Sequence, residues 1–196
     1  NLWVGLSVAV VLASAVTVPI HGLKKGIEFT GGTEVQVKYA ASPDIHGIRA
    51  SLNKAGFTNH LVTTIGKPEE NEVYIRLALA SEVKEENLTP KVVAALRSED
   101  VRRRIGGGMV DINVADEAAL KLLFESSPDL AREDAKKIAT GIVDSRKEKA
   151  IFRTVDELSA VSGMKPEALK VLTEKAFAGP FAVRKESYIG PAIGKE

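Results

Sequence analysis

The chain has no cysteine and only three histidines in 196 residues. The missing thiols exclude a disulfide framework, thiolate catalysis and a cysteine-based zinc site. His21, His46 and His60 lie far apart, with no partner at ligand spacing, and read as ordinary surface or turn residues. A charge excess is also missing. The 27 Lys+Arg and 26 Asp+Glu leave a formal net charge of +1, so no bulk pull toward nucleic acid or acidic lipid is implied. Neither Gly31-Gly32 nor the run Gly106 to Gly108 sits in a phosphate-loop context. Nothing reads as catalytic, no cofactor or metal is expected, and the chain is read as a non-enzyme.

A long apolar run is present. Leu2 to Ile20 carries no charged residue. As a helix it would span roughly 28 Å, close to the thickness of a bilayer's hydrocarbon core. Trp3 sits near one end, where interfacial aromatics belong. The run is apolar all round, which favours a membrane span over a core helix. A secretory signal peptide is the other alternative, with Ala13-Ser14-Ala15 as the small-residue site, but the apolar run continues past it. Lys24 and Lys25 follow the span, and by charge alone they argue for a cytoplasmic side. The chain opens on Asn1 and is expected to belong to a longer polypeptide.

Past the run, local patterns predict an α+β unit. Glu34 to Tyr39 alternates, with Val35, Val37 and Tyr39 on one face, and reads as a strand. Ser42-Pro43-Asp44 opens a helix striped by Ile45, Ile48, Leu52 and Ala55 and ended by Gly56. Two further strands, His60 to Ile65 and Glu72 to Leu79, flank the turn residues Gly66 to Asn71.

 The stretch from Pro90 to Arg97 is a second helix, and Phe181 to Ile189 a last strand. The order β-α-β-β-α-β is the ferredoxin-like plan. Arg102, Arg103 and Arg104 read as a solvated helix end.

Two motifs bracket this unit. Gly26-Ile27-Glu28-Phe29-Thr30-Gly31-Gly32-Thr33 joins the apolar run to the first strand, and Ile189-Gly190-Pro191-Ala192-Ile193-Gly194-Lys195-Glu196 follows the last. The pair resembles the SecF family of the bacterial Sec protein-export machinery. In that family a first membrane helix leads into G-[IL]-D-F-T-G-G-T, and the periplasmic domain closes on V-G-P-x-[VI]-G-x-E. Here Glu28 replaces the usual Asp and Ile189 the usual Val. Gly26, Glu28, Phe29, Thr30, Gly31, Gly32 and Thr33, with Gly190, Pro191, Gly194 and Glu196, are read as two joints between membrane helices and the domain. Glycines would free the backbone there, and Phe29 would anchor the first joint by burial.

A helical stretch interrupts the plan. Gly106 to Gly108 reads as a flexible junction. Helices are expected after Asn113 or Asp116 as cap, over Arg132 to Arg146, after Thr154, and over Glu167 to Ala176. The phrase I-N-x-A-[DS]-x-x-x-L, then a helix ending in Arg, then F-x-[ST]-[VL]-x-[ED]-L, resembles a tandem helix-hairpin-helix module. Both the competence-type DNA-binding version and the type II secretion pseudopilin version carry it. A phosphate-binding hairpin presents consecutive backbone N–H groups, usually from G-[IV]-G. The first hairpin here, Ser126 to Leu130, has no glycine, and the second keeps Gly163 but has Lys165 where the second glycine belongs. Met109 to Pro180 holds 11 Lys+Arg and 13 Asp+Glu, a balance of −2. Protein contact is favoured over nucleic acid.

The expected organisation is a membrane helix over 1–23, a ferredoxin-like domain over 24–105 and 180–196, and a helix-hairpin-helix insert over 106–179. The SecF resemblance implies an inner-membrane protein with its main domain on the periplasmic side. Lys24 and Lys25 would then lie outside. It implies a SecD-like subunit, the SecYEG channel, unfolded preprotein and the lipid bilayer as partners, with translocation assisted by the proton-motive force. Ion coupling in that family depends on ionisable groups in later membrane helices, and Leu2 to Ile20 holds none. The alternatives are a membrane-anchored DNA-binding protein of the competence type and a pseudopilin-like secretion component.

Overall fold

The computed structural model describes residues 3–8, 10–12, 32–78 and 88–189. Residues 3–8 and 10–12 are helical and exposed. The rest of the expected membrane span lies outside the described residues. Among the described residues no helix is long and apolar enough to cross a membrane.

The fold mixes helices with an antiparallel sheet. Strand β1 (Gly32–Tyr39) is followed by α1 (Ile45–Lys54), β2 (His60–Ile65), β3 (Glu72–Ala78), α2 (Thr89–Leu96) and α3 (Glu99–Gly106). The four-stranded sheet closes with β6 (Phe181–Ile189), in the order β2-β3-β1-β6. Alternation in β1 buries Val35 and Val37 completely, and β3 does the same with Val73, Ile75 and Leu77. Ile48 and Leu52, one turn apart on α1, and Val92 and Val93 on α2 cover that face. The other face carries the polar residues of the same strands. There Glu34 meets Arg76 at 3.2 Å, and Gln36 donates to Glu72 at 2.8 Å. Beside Glu34, Tyr74 is less acidic than usual, its hydroxyl pushed up to about 12 by burial and by the neighbouring carboxylate.

Between α3 and β6 come β4 (Val110–Asp111), α4 (Glu117–Glu125), α5 (Arg132–Lys149), α6 (Pro166–Lys175) and β5 (Ala176–Phe177). A 3-10 turn, Val155–Ala160, stands where sequence predicts an α-helix after Thr154. Glu157 there accepts from the N–H of Arg153 at 2.8 Å and of Thr154 at 3.3 Å, which holds its carboxyl below the usual range. Ile112, Leu120, Phe124, Ile138, Ile142, Phe152, Leu158 and Leu172 form a second buried cluster, separate from the one under the sheet.

One further feature differs from the sequence reading. Gly106 to Gly108 is no loose junction: Gly106 ends α3, and the N–H groups of Gly107, Gly108 and Met109 close on the carbonyls of Arg103, Ile105 and Arg104. The arginines before it are exposed at the helix end, as expected. Arg102 reaches the Ala94 carbonyl, and Arg104 lies over the Phe177 ring at 5.4 Å. Of the two expected caps, Asp116 caps α4 through the Ala119 N–H at 2.7 Å, while Asn113 is buried.

The two ends of the helical stretch meet at one place. β4 and β5 pair in parallel, Val110 with Ala176 and Asp111 with Phe177. Asn113 donates to the carbonyls of Phe152 and Gly179, both at 2.8 Å, and accepts from the Phe152 N–H at 2.9 Å. Arg146, at the end of α5, donates to the carbonyls of Ile112 and Ala115, both at 2.8 Å. The residues of the recurring phrase are thus the residues that tie the stretch together. Asn113→Ala removes three hydrogen bonds and strands buried backbone groups. It is expected to cost about 3 kcal/mol, read from the urea unfolding midpoint. A loss below about 1 kcal/mol would show that water takes over those groups freely.

Candidate functional site

The strand register decides where the two motifs lie. In the central strand, Gly32 pairs with Ala78 on one side and with Ile189 on the other. β1 therefore begins beside the end of β6, one strand spacing of about 4.8 Å away. The first motif runs into Gly32 and Thr33, and the second runs out from Ile189. Residues separated by more than 150 positions are brought to one sheet end. Gly26, Glu28, Phe29, Thr30 and Gly31 lie outside the described residues, as do Gly190, Pro191, Gly194 and Glu196.

Gly32 is a glycine for a local reason. A Cβ there would overlap the carbonyl oxygen of Leu77 on the neighbouring strand. Thr33 is buried, and its hydroxyl finds no hydrogen-bond partner among the described residues. The helical stretch joins the sheet at the opposite end, where Tyr39 pairs with Phe181 and the Ala40 N–H reaches the Pro180 carbonyl at 2.9 Å.

The other sequence candidates are scattered. His46 is exposed, and His60 sits 2.7 Å from the Phe57 carbonyl. Among the described residues no group of histidines and acids could hold a metal ion. At the first hairpin Pro128 removes an N–H and Asp129 adds negative charge. At the second, Gly163 takes φ +79°, and Lys165 is spent on Asp134 at 2.6 Å.

Comparison with known proteins points the same way as the motif geometry. A family profile described as the SecD/SecF GG motif matches residues 17–42. The chain is 30% identical over 177 residues to protein translocase subunit SecF of Koribacter versatilis, covering 87% of this chain and 43% of that protein. It is 32% identical over 115 residues to SecF of Vibrio alginolyticus, covering 57% of this chain and 35% of that protein. With SecF of Calditerrivibrio nitroreducens it shares 30% over 95 residues, covering 48% and 31%. The profile and the three relatives support a SecF family protein.

It spans less than half the length of these SecF relatives. No solved structure matches it. The Koribacter match covers more of this chain than lies outside 106–179, so it runs into the helical stretch.

Sequence reasoning missed one residue. Asp111 is buried, and its Oδ1 accepts from the N–H groups of Asn113 at 3.0 Å and Gly179 at 2.9 Å. Oδ2 has no hydrogen-bond partner among the described residues. A Cβ at Gly179 would overlap the Asp111 carboxylate, so only glycine fits there. Burial raises the Asp111 carboxyl above the ordinary range, against the pull of the two N–H groups and of Arg97 and Arg146. The signal was one acid inside the apolar run Val110-Asp111-Ile112.

Two predictions follow from this geometry. Gly32→Ala should lower stability by about 2 kcal/mol, because the central strand cannot move away from both neighbours. A neutral result in urea unfolding would mean that β3 shifts aside. A carboxyl with a raised folded pKa binds its proton more tightly in the native state. The Asp111 ionisation cost is therefore absent below the ordinary carboxylate pKa and grows as pH rises through the raised value. The melting temperature of Asp111→Asn, relative to the parent, should rise between pH 4 and pH 7. A flat difference would show that Asp111 ionises as freely folded as unfolded.

Proposed function

We propose that this chain is the first membrane helix and the extracytoplasmic domain of a Sec translocase subunit, tied to the membrane at both ends. The observation that carries this reading is the pairing of Gly32 with Ile189. It sets the two motifs side by side, as two tethers leaving one end of a domain toward one membrane would need. The exposed apolar helix at 3–8 and 10–12 supports a bilayer-facing start. The sheet order β2-β3-β1-β6, with α1 and α2 on one face, supports the ferredoxin-like plan. The parallel β4–β5 pair and the Asn113 bonds, which bring 110–113 back to 176–179, support a self-contained helix-hairpin-helix insert over 106–179.

The role is mechanical. The domain would contact unfolded preprotein or a SecD-like partner near the SecYEG channel and pass motion between that contact and the membrane. Proton coupling would belong to membrane helices outside this chain. At the inner membrane, the sheet and the insert would face the periplasm.

The test is a topology and export experiment in cells depleted of their own SecF. Alkaline phosphatase, active only outside the cytoplasm, is fused after Ile189. The full-length protein is then assayed for export of a signal-bearing reporter. The fusion should be active, and export should be restored by the parent and reduced by Gly32→Val. An inactive fusion, or a parent that leaves export unrestored, would overturn the reading.

A further inference from the structure

β6 is the outer strand of the sheet, and among the described residues nothing pairs with its far side. A cleft of about 550 Å³ opens beside its residues 183–186, between α2, β6 and α5. Val93, Val114, Val143 and Val183 give the cleft an apolar lining. Its cations, Arg97, Arg146, Lys147, Arg184 and Lys185, outnumber its acids, Asp116 and Glu186.

Most of these cations are committed within the protein. Arg146 is held by the carbonyls of Ile112 and Ala115, Arg184 by the Lys147 carbonyl at 2.6 Å, and Lys147 by Asp144 at 2.8 Å. Arg97, whose Nε is buried in this wall, acts electrostatically on the Asp111 carboxylate. One is not committed: Lys185 is exposed and makes no ion pair among the described residues.

We propose that the cleft takes an extended acidic segment of polypeptide, laid against β6 as a fifth strand. Three properties converge on that occupant. An open strand edge offers backbone N–H and C=O groups, which a peptide backbone satisfies and a nucleic acid does not. The valines accept the apolar side chains that alternate toward them from an added strand. Lys185 supplies positive charge for carboxylates, in a lining where cations outnumber acids. Regular pairing with β1 is interrupted once, where Arg184 is an extra residue between the partners of Gln36 and Val37. From Lys185 to Ile189 it is unbroken, which leaves a straight edge for a short added strand. This inference rests on the Sec reading, in which the domain contacts unfolded polypeptide, but its test reads peptide binding and not export.

The test uses the whole 196-residue chain in mild detergent. The probe is a fluorescent ten-residue peptide alternating valine and glutamate. A lysine-for-glutamate version and a single-stranded DNA of equal charge serve as comparisons. Binding is read by anisotropy and by amide hydrogen exchange. The acidic peptide should bind, slow exchange across 181–189, and weaken as salt is raised. Lys185→Glu should weaken it about tenfold, as an exposed attraction becomes a repulsion. The variant is first shown to unfold at the parent's midpoint. No binding, equal binding of the lysine peptide or the DNA, or binding that leaves β6 exchange unchanged would each overturn the proposal.

Discussion

The sheet depends on a closure made just beyond its end. β6 pairs with β1 only if the chain, after leaving α3, returns to the same place some seventy residues later. Closing so long a loop costs conformational entropy, and the structure offsets that cost locally. Asp111 and Asn113 hold Gly179 through hydrogen bonds to both its N–H and its carbonyl. Pro180 and Phe181 follow at once, with Tyr39 and Phe181 in ring contact at 5.7 Å. The clamp fixes where the last strand begins, and its register then fixes where the second motif leaves.

Local pattern made much of the sheet legible. Val35 and Val37 alternate, Ile48 and Leu52 stripe a helix, and Gly56 at φ +90° ends it, as its position suggests. What pattern could not reveal depends on long-range partners. Asn113 looks like a cap because caps are local, whereas its bonds run to residues 39 and 66 positions away. α3 is easily missed, since Glu99 to Arg104 offers only Val101 to the core. β4 and β5 hold two residues each, too short for any period to show. The bulge at Arg184 reverses the faces of β6: Val183 pairs with buried Val37, but Glu186 then pairs with buried Val35. No alternation in the sequence announces that switch.

The candidate site was legible in name more than in geometry. The glycine run marked the first joint, but only the register shows that its last glycine touches the strand leading into the second. Gly32 itself is explained by the Leu77 carbonyl and not by a turn. Asp111 carries the opposite lesson: a single acid among apolar residues is a weak signal until its two N–H donors are seen.

The side-by-side exit of β1 and β6 sets how the domain responds to load. Tethers pulled away from each other at that end would open the β1–β6 ladder like a zipper, with each hydrogen-bonded pair loaded in turn. Tethers moved together load no ladder bond and swing the sheet as one body. The attachment is therefore strong against concerted displacement and weak against spreading, a mechanical anisotropy built in by one pair of facing residues, Gly32 and Ile189.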